Sequence, residues 1–134
     1  MPALTFWVIP ELARVAGCKV TFADVDPSTF TIDPASLERA ITPATRAIVP
    51  THLYGLPCDM EAVMSIAARH NLHVIEDCAH ALGATCCGRP VGTFGDAAFF
   101  SFQTLKPLNC YGGGLALVRD AALAARVRAL AERE

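Results

Sequence analysis

Lysine is almost missing from this chain. Of 134 residues, 11 are basic, and only Lys19 and Lys106 are lysines; the other nine are arginines. With 13 acidic residues the net charge is −2, so there is no basic excess to hold a polyanion, and no nucleic-acid partner is expected. Long apolar runs are absent as well. None approaches 18 residues, so no membrane-spanning helix is expected. The opening Met1-Pro2-Ala3-Leu4-Thr5-Phe6 has neither a basic stretch nor a small-residue cleavage site, so no signal peptide is expected. Six cysteines stand at 18, 58, 78, 86, 87 and 110, and none forms a CxxC pair. They are expected to be reduced thiols in the cytoplasm rather than a disulfide framework.

What is present is apolar: 53 % of the residues, against 18 % charged. That is enough for one globular domain with its own core and too little for most two-domain enzymes. The scarcity of lysine has two readings. A chain that prefers arginine can keep a lysine where the amine is chemically needed; composition alone favours a coding bias that leaves two unremarkable lysines.

Short β-type runs alternate with helical patterns. Residues 7–16 predict a helix with Pro10 in its first turn and Gly17 as its stop. Residues 19–23 predict a strand. Asp33-Pro34 predicts the start of a helix over 34–41, with Leu37, Ala40 and Ile41 inward. Strands are expected at 46–50 and 72–76. Between them Asp59 caps a helix through His70, with Met60, Val63, Met64 and Ala67 on one face. Residues 97–102 and 114–118 predict two more strands, and 83–96 a loop with a short hairpin. Asp120 caps a closing helix with Leu123, Val127, Leu130 and Ala131 on one face. The alternation predicts an α/β fold, a sheet covered on both faces in three α/β/α layers and parallel at least between 46–50 and 72–76.

Ligands of such sheets sit outside the carboxyl ends of the strands. Thr51, His52 and Asp77 belong there. A carboxylate at position 77 leaves an apolar strand and needs a cationic partner to stay ionised; it could equally be a helix cap. Ser101 and Lys106 follow another apolar strand, five residues apart. A hydroxyl and an amine so placed suit a phosphate and an imine, and an amine in an apolar pocket becomes nucleophilic. Pro107 steers Lys106 away from helical dihedrals, and Gly112-Gly113-Gly114 lets backbone approach closely. A surface-turn lysine is the plain alternative. His80 with Cys78, Cys86 or Cys87 matches no standard zinc spacing, so no metal is expected. Of Phe6 and Trp7, one is expected to face inward or a ligand, the other solvent.

Taken in order, several segments resemble one family: Pro2–Phe6, Phe22-Ala23-Asp24-Val25-Asp26, Ala40-Ile41-Thr42-Pro43, Pro50-Thr51-His52-Leu53-Tyr54-Gly55, Val74–Gly83, Gly92-Thr93-Phe94-Gly95-Asp96, Phe100–Lys106 and Gly112–Gly114. Over nearly the whole chain they look like the DegT/DnrJ/StrS family of pyridoxal-phosphate-dependent sugar aminotransferases, of fold type I. The resemblance implies roles. Lys106 matches the Schiff-base lysine, Asp77 the carboxylate facing the pyridinium nitrogen, and Ser101 a hydroxyl on the cofactor phosphate. His80 matches a Gln-or-His position beside the cofactor, and Phe6 an aromatic against the ring face. The implied reaction moves an amino group from a donor, expected to be glutamate, to the keto group of a nucleotide-linked sugar, with Lys106 as base and acid. Relatives with His in place of the lysine carry out dehydration, so a PLP-dependent lyase is the alternative, and a non-catalytic module of the same fold a third. The family works as homodimers. By this resemblance residues 1–134 are the central part of the PLP-binding large domain, without its N-terminal phosphate-binding helix and the C-terminal small domain. Exposed apolar surface is expected in consequence, and little activity from this region alone.

Overall fold

The computed structural model describes residues 1–132. Four helices and six strands follow in order: α1 (Val8–Val15), α2 (Pro34–Ala40), β1 (Ala47–Ile48), α3 (Met60–His70), β2 (His73–Asp77), β3 (Thr85–Cys86), β4 (Arg89–Pro90), β5 (Ala97–Ser101), β6 (Gly114–Val118) and α4 (Ala121–Ala131). A single 3-10 turn spans Leu53–Gly55.

The caps are where the sequence puts them. Asp33 accepts from the backbone N–H groups of Ala35 and Ser36, with Pro34 in the first turn of α2. Asp59 caps α3 through Ala62 N–H, and Asp120 caps α4 through Leu123 N–H. Each cap satisfies N–H groups that a helix start leaves free, an effect of about 1 kcal/mol. Helix α1 has no side-chain cap; it ends on Gly17 with φ +82°, as expected of a helix-stop glycine.

The main sheet runs β1-β2-β5-β6. β1, β2 and β5 are parallel, and β6 returns antiparallel to β5 with Ser101 opposite Gly114. The helix α3 makes the crossover from β1 to β2 and buries Met60, Val63, Ile66 and Ala67 against Ile48 and Val74. Met60, Val63 and Ile66 each contribute about 1.5–3 kcal/mol by leaving water, and Ala67 less. β3 and β4 form the hairpin inside 83–96, turning through Cys87 and Gly88, both at positive φ.

One expectation is corrected: residues 19–23 do not form a strand. They make one parallel bridge, Pro2 to Ala23, and Pro2 has no N–H with which to extend the ladder. The sheet is not covered evenly. Along β2 and β5 the side chains of Val74, Glu76, Ala98 and Phe100 are buried, while Ile75, Ala97, Phe99 and Ser101 on the other face are only partly covered. Finally, α4 packs on β6 but buries no residue, so Val127 and Leu130 stay exposed. Leu12 and Val15 along α1 are likewise exposed, in line with the expected apolar surface.

Candidate active site

The parallel register brings the carboxyl ends of β1, β2 and β5 to one edge. Beyond β1 the pairing continues as a bridge between Thr51 and Asp77. Beyond Asp77, Cys78 N–H donates to Phe99 O at 2.9 Å, and β5 runs on to Ser101 at the same edge.

Asp77 is buried, and its hydrogen bonds come from neutral groups. Ala79 N–H donates to Oδ1 at 3.0 Å, and the Thr51 hydroxyl reaches Oδ2 at 3.4 Å. Thr51 in turn shares a hydrogen bond with the Thr5 hydroxyl at 3.1 Å. Burial pushes the Asp77 carboxyl above its ordinary range, against the smaller opposing pull of Ala79 N–H and His80. Among the described residues no Lys or Arg side chain hydrogen-bonds Asp77, and the pull of His80 does not offset its burial.

His80 sits between the other candidates. Its ring stacks on Tyr54 at a centroid distance of 5.8 Å and an interplanar angle of 15°. Nδ1 of His80 is buried without a hydrogen-bond partner. Burial lowers its proton affinity first, the Lys106 charge lowers it further, and Asp77 raises it. Lys106 is half-buried, in a turn closed by its own N–H on Gln103 O at 2.9 Å. Its Nζ lies 5.8 Å from the centroid of the Phe6 ring, within cation–π reach. Ser101 ends β5 half-buried, with Oγ accepting weakly from Gln103 N–H at 3.4 Å. The structure therefore gathers Asp77, His80 and Lys106 within electrostatic reach, with Phe6 beside Lys106 and Ser101 at the neighbouring strand end. Both Phe6 and Trp7 are exposed, at 47 % and 67 %, so neither is core.

Three residues of the site carried no role in the sequence reading: Thr5, Thr51 and Tyr54. Thr51 was legible as a strand-end residue, but its pairing with Asp77 depends on register. Tyr54 has φ +53°, uncommon for a bulky side chain, and is exposed beside His80.

A second cluster lies behind the edge. Ligand-type atoms of His52, Glu76 and Cys78 fall within 4.8 Å of one another. They are not free for a metal. His52 Nδ1 accepts from Cys58 N–H, its Nε2 meets Glu76, and Glu76 also accepts three backbone N–H groups. Burial also pushes the Cys78 thiol far up, away from the thiolate a metal needs.

A sequence model of the DegT/DnrJ/EryC1/StrS aminotransferase family matches residues 1–133. The chain belongs to this family. It is 48 % identical over 129 residues to a pleiotropic regulatory protein of Geobacillus stearothermophilus, covering 96 % of this chain and 35 % of that protein. It is 45 % identical over 131 residues to a UDP-N-acetyl-3-dehydro-alpha-D-glucosamine 3-aminotransferase of Acidithiobacillus ferrooxidans, covering 97 % and 36 %. The crystal structure of DesI in the presence of its TDP-sugar product superposes with a TM-score of 0.92 at 45 % identity, over 97 % of this chain and 33 % of that one. The mixed sheet described above is accordingly part of the fold-type-I domain seen in these family members. The chain spans about a third of the length of the curated relatives it matches.

Proposed function

We propose that this DegT/DnrJ/EryC1/StrS member is a pyridoxal-phosphate-dependent aminotransferase, moving an amino group from glutamate to the keto group of a nucleotide-linked sugar. One observation carries the reading: at one sheet edge an imidazole with an unpartnered buried nitrogen lies within the electrostatic reach of both a buried carboxylate and a half-buried lysine. The names of the relatives support the sugar, since one acts on a UDP-linked sugar and another is described with a TDP-sugar product.

The residues fit the cofactor. Asp77 would face the pyridinium N–H, which supplies a cation. His80 Nδ1 would hydrogen-bond the phenolic oxygen, the Ser101 hydroxyl the phosphate, and Phe6 would lie against the ring. When bound, the group supplies an aldehyde for an amine and a ring that accepts the electron pair released at the substrate Cα. Lys106 would take the proton from that Cα as general base and deliver it to the cofactor's C4′ as general acid. The Asp77 carboxylate would favour the protonated ring nitrogen. The 1–134 region would be the central part of the large domain of a cytoplasmic homodimer, and its cysteines are free, which suits a reducing compartment.

The test is covalent. Borohydride reduction of the purified protein with pyridoxal phosphate, followed by peptide mapping, should place the label on Lys106. Label on Lys19, or none, would sink the assignment. Incubation with glutamate should release 2-oxoglutarate even without the sugar, which a dehydratase on the same scaffold would not do.

A further inference from the structure

Two dipeptides, Thr51-His52 and Glu76-Asp77, lie side by side at the sheet edge. They are aligned by the parallel bridge, with His52 N–H donating to Asp77 O at 3.0 Å and Asp77 N–H to Pro50 O at 2.9 Å. Successive strand residues point to opposite faces. Thr51 therefore meets Asp77 on one face, and His52 meets Glu76 on the other.

The second pair is fully buried and saturated. Glu76 Oε1 accepts from Phe94 N–H and Gly95 N–H, both at 2.7 Å. Oε2 accepts from Gly92 N–H at 2.7 Å and from His52 Nε2 at 3.2 Å. Because His52 Nδ1 accepts from Cys58 N–H at 3.0 Å, the ring proton resides on Nε2 and points at Glu76. Gly95 lets the loop come this close: a Cβ there would stand 2.5 Å from Val74 O. Satisfied buried networks of this kind are stiff. This one grips Asp77 twice, through the peptide bond to Glu76 and through the hydrogen bond from His52 N–H. Nothing in the chemistry proposed above uses either side chain.

We infer that His52 and Glu76 are positioning residues for Asp77: together they lock the end of β2 to the 92–95 loop and to the 51–58 segment, so that the Asp77 carboxylate has one direction into the site. The inference rests on the cofactor-facing role of Asp77 proposed above. Substituting Glu76 by Gln puts an NH2 group against two N–H donors, and turning the His52 tautomer round only transfers the conflict to Cys58 N–H. Substituting His52 by Leu removes the donor, whereas Gln restores an N–H for Glu76.

The test measures equilibrium binding of pyridoxal phosphate to the purified protein by the absorbance of the bound cofactor, with Lys106 labelling as the check on the mode of binding. Glu76→Gln and His52→Leu should each weaken binding about tenfold, and His52→Gln should recover most of the loss. Adding Glu76→Gln to Asp77→Asn should cost nothing further, because Glu76 acts through Asp77. In the cofactor-free protein, amide hydrogen exchange at Gly92, Phe94 and Gly95 should accelerate in Glu76→Gln. Unchanged affinity in both single variants, or additive losses in the double variant, would overturn the inference. If Glu76→Gln does not fold, His52→Leu combined with Asp77→Asn makes the same comparison. A wild-type protein that leaves Lys106 unlabelled removes the proposed function and this inference with it. A labelled wild type with unaffected variants removes this inference alone.

Discussion

Glu76 and Asp77 are neighbours in the chain, yet folding moves their proton affinities in opposite directions. Burial raises both. At Glu76 the His52 ring and the N–H groups of Gly95, Gly92 and Phe94 outweigh it and hold the carboxyl below its ordinary range. At Asp77 the hydrogen bonds are fewer, burial prevails, and the carboxyl is raised. One carboxylate is held as an anion by its hydrogen bonds, and the other is not.

The Glu76 network should make stability pH-dependent. A carboxyl lowered on folding contributes stability that is present above its ordinary value of 4.5 and lost as pH falls through the lower folded value. Chemical denaturation from pH 7 downward should show wild type and Glu76→Gln converging below about pH 4.5. A constant gap across that range would contradict the assignment.

Asp77 predicts the reverse. A raised carboxyl destabilises the cofactor-free fold as pH rises from 3.8 through the folded value, and fully so at neutral pH. Asp77→Asn should therefore melt higher than wild type at pH 7 without cofactor, an advantage that fades toward pH 3.8. Its affinity for pyridoxal phosphate should drop by roughly thirtyfold or more, the loss of one partner of a buried charge pair. Calorimetry and a binding titration read the two effects separately.

The Lys106 charge is one of two causes that lower the proton affinity of His80, after burial. Replacing Lys106 by Ala should raise the His80 imidazole titration midpoint in NMR spectra of the cofactor-free protein. An unmoved midpoint would mean that the lysine turns away from the site in solution.

Glycine positions separate by what surrounds them. Gly95→Ala forces a Cβ against Val74 O and should cost about 1–3 kcal/mol in urea denaturation. Gly112→Ala meets nothing within 4 Å and has no positive φ, so it should change stability by less than about 0.5 kcal/mol.

Thiol reactivity should follow burial. Burial pushes the Cys58 thiol up to about 12, and Cys78 is raised further by the same cause. Alkylation at pH 8 in native conditions should modify exposed Cys18, Cys87 and Cys110, and reach Cys58 and Cys78 only after unfolding. Early loss of Cys58 would show that the segment closing over His52 opens readily.

Local physics made much of the fold legible. Asp33, Asp59 and Asp120 announce their helices because a side-chain oxygen satisfies N–H groups three residues away, a purely local effect. The apolar face of α3 follows from periodicity for the same reason. Residues 19–23 were misread because strand pattern alone does not supply a partner strand. The apolar stripe of α4 lies largely exposed: periodicity names a face but not what covers it.

The sequence by itself determined the family, the strand–helix order from residue 34 onward and the chemical kind of each candidate: a carboxylate and a hydroxyl at strand ends, and a lysine in a turn before proline. These depend on residue identity and spacing along one chain. Tertiary structure alone decided how the two adjacent carboxylates are partnered. That difference comes from the Thr51–Asp77 register, which sends Glu76 to His52 and the loop amides and leaves Asp77 with fewer hydrogen bonds. Residue alternation flips every side chain with a one-residue slip, and only long-range pairing sets the register.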